Sequence, residues 1–119
     1  MTTILVVEDN RMIRTMYAAG LAGYGYDTVE ASTIREALAA LDNGDLPEVV
    51  LLDLKLPDGR GQSVIDHIRN TLQRDDVKII VATAFPVEEA EMMALGADRL
   101  VSKPLELPDL LELIKSFSR

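Results

Sequence analysis

The chain has 119 residues, a net charge of −8 and no cysteine. This length suits a single domain of ordinary size, predicted to span residues 1–119. The lack of cysteine excludes a disulfide framework and a thiolate metal site, which fits a cytoplasmic protein. The acidic charge argues against direct binding of nucleic acid or anionic lipid, and no apolar run approaches the roughly 20 residues of a membrane span.

Five short β-type segments alternate with five helical patterns along the chain. The predicted strands are 4–7, 28–31, 49–52, 79–82 and 100–102. The predicted helices are 11–22, a segment between a Thr33 cap and an Asn43-Gly44 stop, 62–72, 88–95 and 108–117. In the second of these, Glu36 occupies the capping-box position relative to Thr33. Three strands are continuously apolar, as expected when helices cover both faces of a parallel sheet. The predicted fold is therefore an α/β, flavodoxin-like three-layer sandwich with strand order 2-1-3-4-5 and five helices.

Polar side chains follow four of these strands directly. Glu8 and Asp9 follow the first strand, Asp53 the third, Thr83 the fourth and Lys103 the fifth. Because the carboxyl ends of parallel strands open onto one crevice, we expect these groups to meet there. Taken singly, each is more often an ordinary solvated residue, but together they predict a site for a divalent cation and a phosphoryl group.

The chemistry of these groups suggests a role for each. Three carboxylates in one pocket repel one another unless one takes up a proton or a cation binds, and oxygen ligands suit Mg²⁺. The cation would leave Asp53 free to act as a nucleophile. Lys103 would pair with Asp53 at rest and with a phosphoryl oxygen afterwards, and Thr83 could donate its hydroxyl. The Lys103-Pro104 bond is a candidate cis peptide.

The order and spacing of five sequence blocks resemble the response-regulator receiver domain of two-component signalling, in its single-domain, chemotaxis-regulator-like form. The blocks are Ile4-Leu5-Val6-Val7-Glu8-Asp9-Asn10, Leu51-Leu52-Asp53-Leu54-Lys55-Leu56-Pro57 with Gly61, Ala82-Thr83-Ala84, Gly96-Ala97-Asp98 and Lys103-Pro104.

The resemblance implies a role for each matching residue. Asp53 would be the phosphoacceptor. Mg²⁺ would be bound by Glu8, Asp9, Asp53 and the backbone carbonyl of Lys55. Thr83 and Lys103 would bind the phosphoryl oxygens.

The resemblance also implies partners and an output. The donor would be a phosphohistidine on a histidine kinase or a histidine phosphotransfer domain. The chain would be a signalling phosphoacceptor and not an enzyme with a separate substrate. Phosphorylation would switch a protein-interaction face made of helix 4, strand 5 and helix 5, in a monomer or a phosphorylation-dependent dimer. The sequence does not identify the downstream target.

Some features leave alternatives open. Leu100 occupies a position where receivers usually carry Tyr or Phe, which leaves a phosphorylation-independent receiver-like binding module as the alternative function. A haloacid-dehalogenase-type phosphatase would need a second acid at the position of Lys55. The last helix is apolar over more than one stripe, so it has either a wide core face or, with Leu113, Leu100, Leu105 and Met92, a partner surface.

Overall fold

The structure, a computed structural model, describes residues 2–43 and 46–117. Its main sheet has five parallel strands: β1 (Thr3–Val7), β2 (Asp27–Ala31), β3 (Val49–Asp53), β4 (Lys78–Thr83) and β5 (Arg99–Ser102). They lie in the order β2-β1-β3-β4-β5, which confirms the predicted flavodoxin-like topology. The strand order therefore reverses between β1 and β3, and at such a switch point a crevice opens at the carboxyl edge of the sheet.

Among the described residues, four helices connect the strands and a fifth follows β5. They are α1 (Arg11–Gly23), α2 (Ile34–Asp42), α3 (Gln62–Asp66, continued by π-helical turns over His67–Thr71), α4 (Glu89–Leu95) and α5 (Leu107–Ser116). Their bounds differ from the prediction by a residue or two, and Gly44 of the predicted stop after α2 lies outside the described residues. Within 2–43 and 46–117, no helix is long and apolar enough to cross a bilayer.

Alternate residues of the central strands feed two separate cores, which explains why these strands are apolar without interruption. Packed against α2, α3 and α4 are Leu5, Val7, Val50, Leu52, Ile79 and Val81. Packed against α1 and α5 are Ile4, Val6, Val49, Leu51, Ile80 and Ala82. Each fully buried Ile or Leu contributes about 1.5–3 kcal/mol, so the two cores hold the sheet edge rigidly in place.

The cap of α2 differs in detail from the predicted capping box. Thr33 Oγ1 accepts the N–H of Glu36 at 3.0 Å, as expected of an N-cap threonine. The Glu36 carboxylate, however, accepts the N–H of Ser32 at 2.7 Å and not that of Thr33. The expected reciprocal pair is therefore displaced by one residue, because the Ser32 hydroxyl also donates to Glu36.

The third helix was predicted over 62–72, and helical turns run from Gln62 to Thr71, but those from His67 onward are π-helical, which the sequence pattern did not predict. The N–H of Leu72 donates to the carbonyl of His67 at 2.8 Å, a π-helical spacing of five residues. Within these turns Arg69 donates to the carbonyl of Gly96 and to Asp98 Oδ2, both at 3.0 Å. These tertiary bonds join α3 to the C-terminal end of α4, and local periodicity cannot anticipate them.

The wide apolar surface of α5 is a core face. Met92 and Leu105, which the partner-surface alternative required to be accessible, are 1% and 6% exposed. Leu100 and Leu113 are partly buried against the two cores. In α1, Met16 is 45% exposed, because the helix turns this side chain away from the buried side of Tyr17 and Leu21.

A short hairpin follows β3. Lys55–Leu56 pairs with Gly59–Arg60 in antiparallel register, and the N–H of Gly61 donates to the carbonyl of Leu54 at 2.8 Å. A Cβ on Gly61 would lie 2.4 Å from the backbone oxygen of Asp53. Only glycine fits here because the chain passes directly against the backbone of the β3 end.

We expect Gly61→Ala to destabilise the protein by about 1–3 kcal/mol, since backbone must move to admit the methyl group. Gly23→Ala is the matched control, because no atom lies within 4 Å of a Cβ at that position in α1. The control should be neutral or stabilising by up to about 1 kcal/mol. Urea unfolding measures both free energies, and equal values for the two variants would contradict the packing argument.

Candidate functional site

The carboxyl edge of the sheet gathers the predicted side chains. Glu8 and Asp9 come directly after β1, and the N–H of Glu8 still donates to the carbonyl of Ala31 on β2 at 3.0 Å. Asp53 is the last residue of β3 and pairs in register with Ala82 of β4. The side chains project from adjacent strands whose alignment is set by the sheet register.

Lys103 is delivered by the end of β5. Its N–H donates to the carbonyl of Thr83 at 2.9 Å, and the Lys103-Pro104 peptide is cis, as the sequence suggested. Its Nζ donates to Oδ2 of Asp53 at 3.1 Å and also to Oε1 of Glu8. One ammonium therefore bridges carboxylates from two different strands.

Three carboxylates surround the crevice. One ligand oxygen from each of Glu8, Asp9 and Asp53 lies within 4.8 Å of the others. Glu8 and Asp53 are 4% and 8% exposed, whereas Asp9 is exposed to solvent. Buried and exposed carboxylates together fit a hard divalent cation such as Mg²⁺, which takes oxygen ligands from one or two carboxylates and keeps part of its water shell.

Burial shapes the titration of this cluster. Burial raises the pKa of Glu8, although hydrogen bonds from Lys103 and from the Asn10 N–H favour the charged form. Burial alone would lower the pKa of Lys103, but its hydrogen bonds to Glu8 and Asp53 outweigh that effect and raise it. The ammonium is therefore charged at neutral pH. Three carboxylates against one ammonium leave formal negative charge that a divalent cation would neutralise.

The open side of the site is a cleft of about 380 Å³. Its lining combines charged groups and apolar ones: Asp9, Asp53, Lys55, Leu56, Pro57, Ala84, Phe85 and Lys103. The N–H of Lys55 donates to Oδ1 of Asp53 at 3.3 Å, and Lys55 Nζ lies 5.0 Å from the centroid of the Phe85 ring. The cleft thus gives a ligand access to Asp53 between a cation–π pair and Lys103.

Thr83 is at the end of β4, as predicted, and is 3% exposed. Its Oγ1 accepts the N–H of Phe85 at 3.1 Å, which uses the oxygen as acceptor and leaves the hydroxyl hydrogen uncommitted by that bond. Thr83 lines a neighbouring cavity of about 210 Å³, and Lys55 and Phe85 border both this cavity and the Asp53 cleft. The structure therefore gathers Glu8, Asp9, Asp53 and Lys103 directly and holds Thr83 beside them.

Two residues that support Glu8 escaped the sequence reasoning. The N–H of Asn10 donates to Oε2 of Glu8 at 3.0 Å, and Arg14 Nη1 donates to the Glu8 carbonyl at 2.9 Å. Asn10 could have been recognised as the N-cap of α1, since it precedes the helical pattern and accepts the N–H of Ile13. Nothing in the sequence pairs Arg14 with the strand end, because that contact depends on how α1 packs.

Comparison with known proteins places this site in a family. The family model described as "Response regulator receiver domain" matches residues 4–115. The phosphate regulon transcriptional regulatory protein PhoB of Escherichia coli K12 is 36% identical over 118 residues, covering 98% of this chain and 51% of that protein. The chain thus spans about half the length of this curated relative.

Solved structures agree with the family match. A CheY-like response regulator receiver domain protein from Methanospirillum hungatei is 31% identical with a TM-score of 0.89, over 98% of this chain and 92% of that one. The response regulator TrrA from Thermotoga maritima, solved in complex with Mg²⁺ and BeF, is 32% identical with a TM-score of 0.84, over 98% and 99%.

The family match covers nearly all of the chain, the fold agrees, and the motif residues converge at one edge of the sheet. This chain belongs to the response regulator receiver domain family of two-component signalling.

Proposed function

We propose that this chain is a phosphoacceptor that takes a phosphoryl group from a phosphohistidine onto Asp53. The donor is a histidine kinase or a histidine phosphotransfer domain, both acting in the cytoplasm. The observation that carries the proposal is the sharing of Lys103 Nζ between Asp53 and Glu8 at the floor of an accessible cleft. The product is a signalling state of the chain itself, with no separate substrate turned over.

The transfer needs a nucleophile, charge neutralisation and a place for the phosphoryl oxygens. A carboxylate oxygen of Asp53 attacks phosphorus, the P–N bond of the phosphohistidine breaks, and its electron pair remains on the imidazole. When bound by Glu8, Asp9, Asp53 and the carbonyl of Lys55, Mg²⁺ would offset the negative charge of the incoming group.

Lys103 supplies the second cationic contact. Its ammonium already donates to Asp53 Oδ2, so it lies beside the carboxylate that would carry the phosphoryl group. A phosphoryl oxygen is a further charge-assisted acceptor, and Lys103 exchanges one of its hydrogen bonds to a carboxylate for a hydrogen bond to the phosphoryl oxygen. The similarity to TrrA, which was solved with Mg²⁺ and BeF, supports this assignment.

The readout runs through Thr83 and the face made of α4, β5 and α5. The Thr83 hydroxyl donates to the phosphoryl oxygen, and the 84–88 loop follows because Phe85 is bonded to Thr83 Oγ1. Leu100, which is partly buried against one core, takes the place of an aromatic switch residue. The loop and α4 then form the element with two conformations. Phosphorylation shifts its equilibrium toward the conformation that binds a protein partner or a second copy of the chain.

The test of the acceptor is phosphorylation by acetyl phosphate followed by intact-protein mass spectrometry. We expect the wild type to gain one phosphoryl group in Mg²⁺ and none in excess chelator. Asp53→Asn should gain none, because the amide is a poor nucleophile. Asp109→Asn, an exposed residue of α5, is the matched control and should behave as wild type. No phosphoryl gain in the wild type would favour the phosphorylation-independent binding module.

The raised pKa of Glu8 predicts a pH-dependent stability in metal-free protein. In the folded state the Glu8 carboxyl keeps its proton at pH values above its ordinary pKa of 4.5. The stabilisation of the folded state by this proton is therefore present at low pH and is lost as pH rises through the folded-state pKa. Glu8→Gln should therefore be more stable than wild type at pH 7, with an advantage that shrinks as pH falls toward 4.5.

Urea unfolding at pH 7 and at pH 5 in chelator measures this difference. Glu89→Gln, a change at an exposed glutamate of α4, serves as the control and should show no such trend. An advantage of Glu8→Gln that stays constant over this pH range would contradict the burial argument.

Switching is tested with beryllofluoride, a mimic of the acyl phosphate, by NMR in Mg²⁺. We expect chemical shift changes that extend from the site through α4 and β5 to Leu100. The Asp53→Asn protein should show none of them. Changes restricted to the immediate neighbours of Asp53 would mean that, with leucine at position 100, the signal does not reach the output face.

A further inference from the structure

The carboxylate of Asp58 joins two parts of the chain that the sequence keeps apart. Asp58 lies in the tip of the hairpin after β3, between Lys55–Leu56 and Gly59–Arg60. Its Oδ1 accepts the N–H of Ile34 at 2.8 Å and its Oδ2 accepts the N–H of Arg35 at 3.0 Å. Both donors belong to the first turn of α2, so the hairpin tip is docked on a helix terminus.

The docking is electrostatically favourable. The first N–H groups of a helix have no partner within it, and the helix dipole attracts a carboxylate to that end. The N–H groups of Ile34 and Arg35 lower the pKa of Asp58, so its carboxylate is charged at neutral pH. Thr33 Oγ1 accepts the next N–H, from Glu36, so one end of α2 has two independent caps.

The other end of the hairpin is attached to the acceptor site. The N–H of Lys55 donates to Asp53 Oδ1 at 3.3 Å, and Gly61 donates to the carbonyl of Leu54 at 2.8 Å. Across the hairpin Lys55 pairs with Arg60. The position of the Lys55 backbone relative to Asp53 is therefore set by hydrogen bonds at both ends of the hairpin. At its base the donors are the N–H groups of Lys55 and Gly61, and at its tip the acceptor is Asp58.

We propose that Asp58 is a positioning residue for the acceptor site: by docking the hairpin on α2, it holds the Lys55 backbone against Asp53. This rests on the proposed function, in which the Lys55 carbonyl is a Mg²⁺ ligand. The role exceeds helix capping, because Asp58 would act on the cation site through the hairpin, whereas the hydroxyl of Thr33 accepts the N–H of Glu36 within the same helix. Losing such an outer support typically weakens metal binding about 10- to 100-fold.

The experiment compares Asp58→Ala with Thr33→Ala. Each variant removes one cap of α2, but only the first releases the hairpin. Mg²⁺ affinity is measured by calorimetry with MgCl₂, and hydrogen exchange of the Lys55 and Gly61 amides is measured by NMR without metal. We expect Asp58→Ala to bind Mg²⁺ at least about 10-fold more weakly and to exchange both amides faster, with Thr33→Ala close to wild type in both.

Asp58→Asn, which keeps one acceptor oxygen, should restore part of the Mg²⁺ affinity. Equal effects of Asp58→Ala and Thr33→Ala on exchange or on affinity would reduce Asp58 to a helix cap and overturn the proposal. Faster exchange with unchanged affinity would overturn it as well. A wild type that fails to bind Mg²⁺ would instead refute the proposed cation site, and this outcome is distinguishable because it does not depend on any variant.

Discussion

One lysine ammonium, shared between two buried carboxylates, is the interaction on which the site depends. Lys103 bonds to Glu8 and Asp53, which are 95 and 50 positions away in sequence. β5, which delivers Lys103, is separated from β3 by β4, so the lysine reaches across a whole strand to meet Asp53. Removing Lys103 would leave two buried carboxylates without their cationic partner, which costs several kcal/mol. Each of the three residues therefore constrains the other two.

The cluster holds more negative than positive formal charge in the absence of a cation. Glu8 illustrates the consequence, because burial raises its pKa even with Lys103 as a partner. A folded protein keeps such an unfavourable arrangement where function requires it, and the two apolar cores supply the stability that offsets it. In the proposed function, binding of a divalent cation and then of a phosphoryl group would change the charge of the same small region in steps. A local charge change of this kind can bias the neighbouring loop between two positions.

The elements around the site are joined to the rest of the fold by specific contacts. The base of the β3 hairpin is held by Gly61 packed on the Asp53 backbone, and its tip by Asp58 on α2. The C-terminal end of α4 is tied to α3 through Arg69 and the Gly96 carbonyl. In the segment between Thr83 and α4, the Phe85 N–H donates to Thr83 Oγ1, the Phe85 ring lies beside Lys55 Nζ and Val87 packs against one core. In the proposed function, this segment is the part that would move on phosphorylation, while the hairpin beside Asp53 would stay in place.

The sequence by itself determined the strands, their burial on both faces and the polar residues that follow them, because hydrophobic periodicity and strand length are local properties of the chain. It also placed Glu8, Asp9, Asp53 and Lys103 at one edge, since parallel strands must end there together. Only the tertiary structure decided that Glu8 shares the ammonium with Asp53, that Asp58 bonds to the first turn of α2, and that Arg69 in the π-helical turns bonds to Gly96. These contacts join segments tens of residues apart, and their distances follow from helix packing on the sheet, which no local pattern encodes.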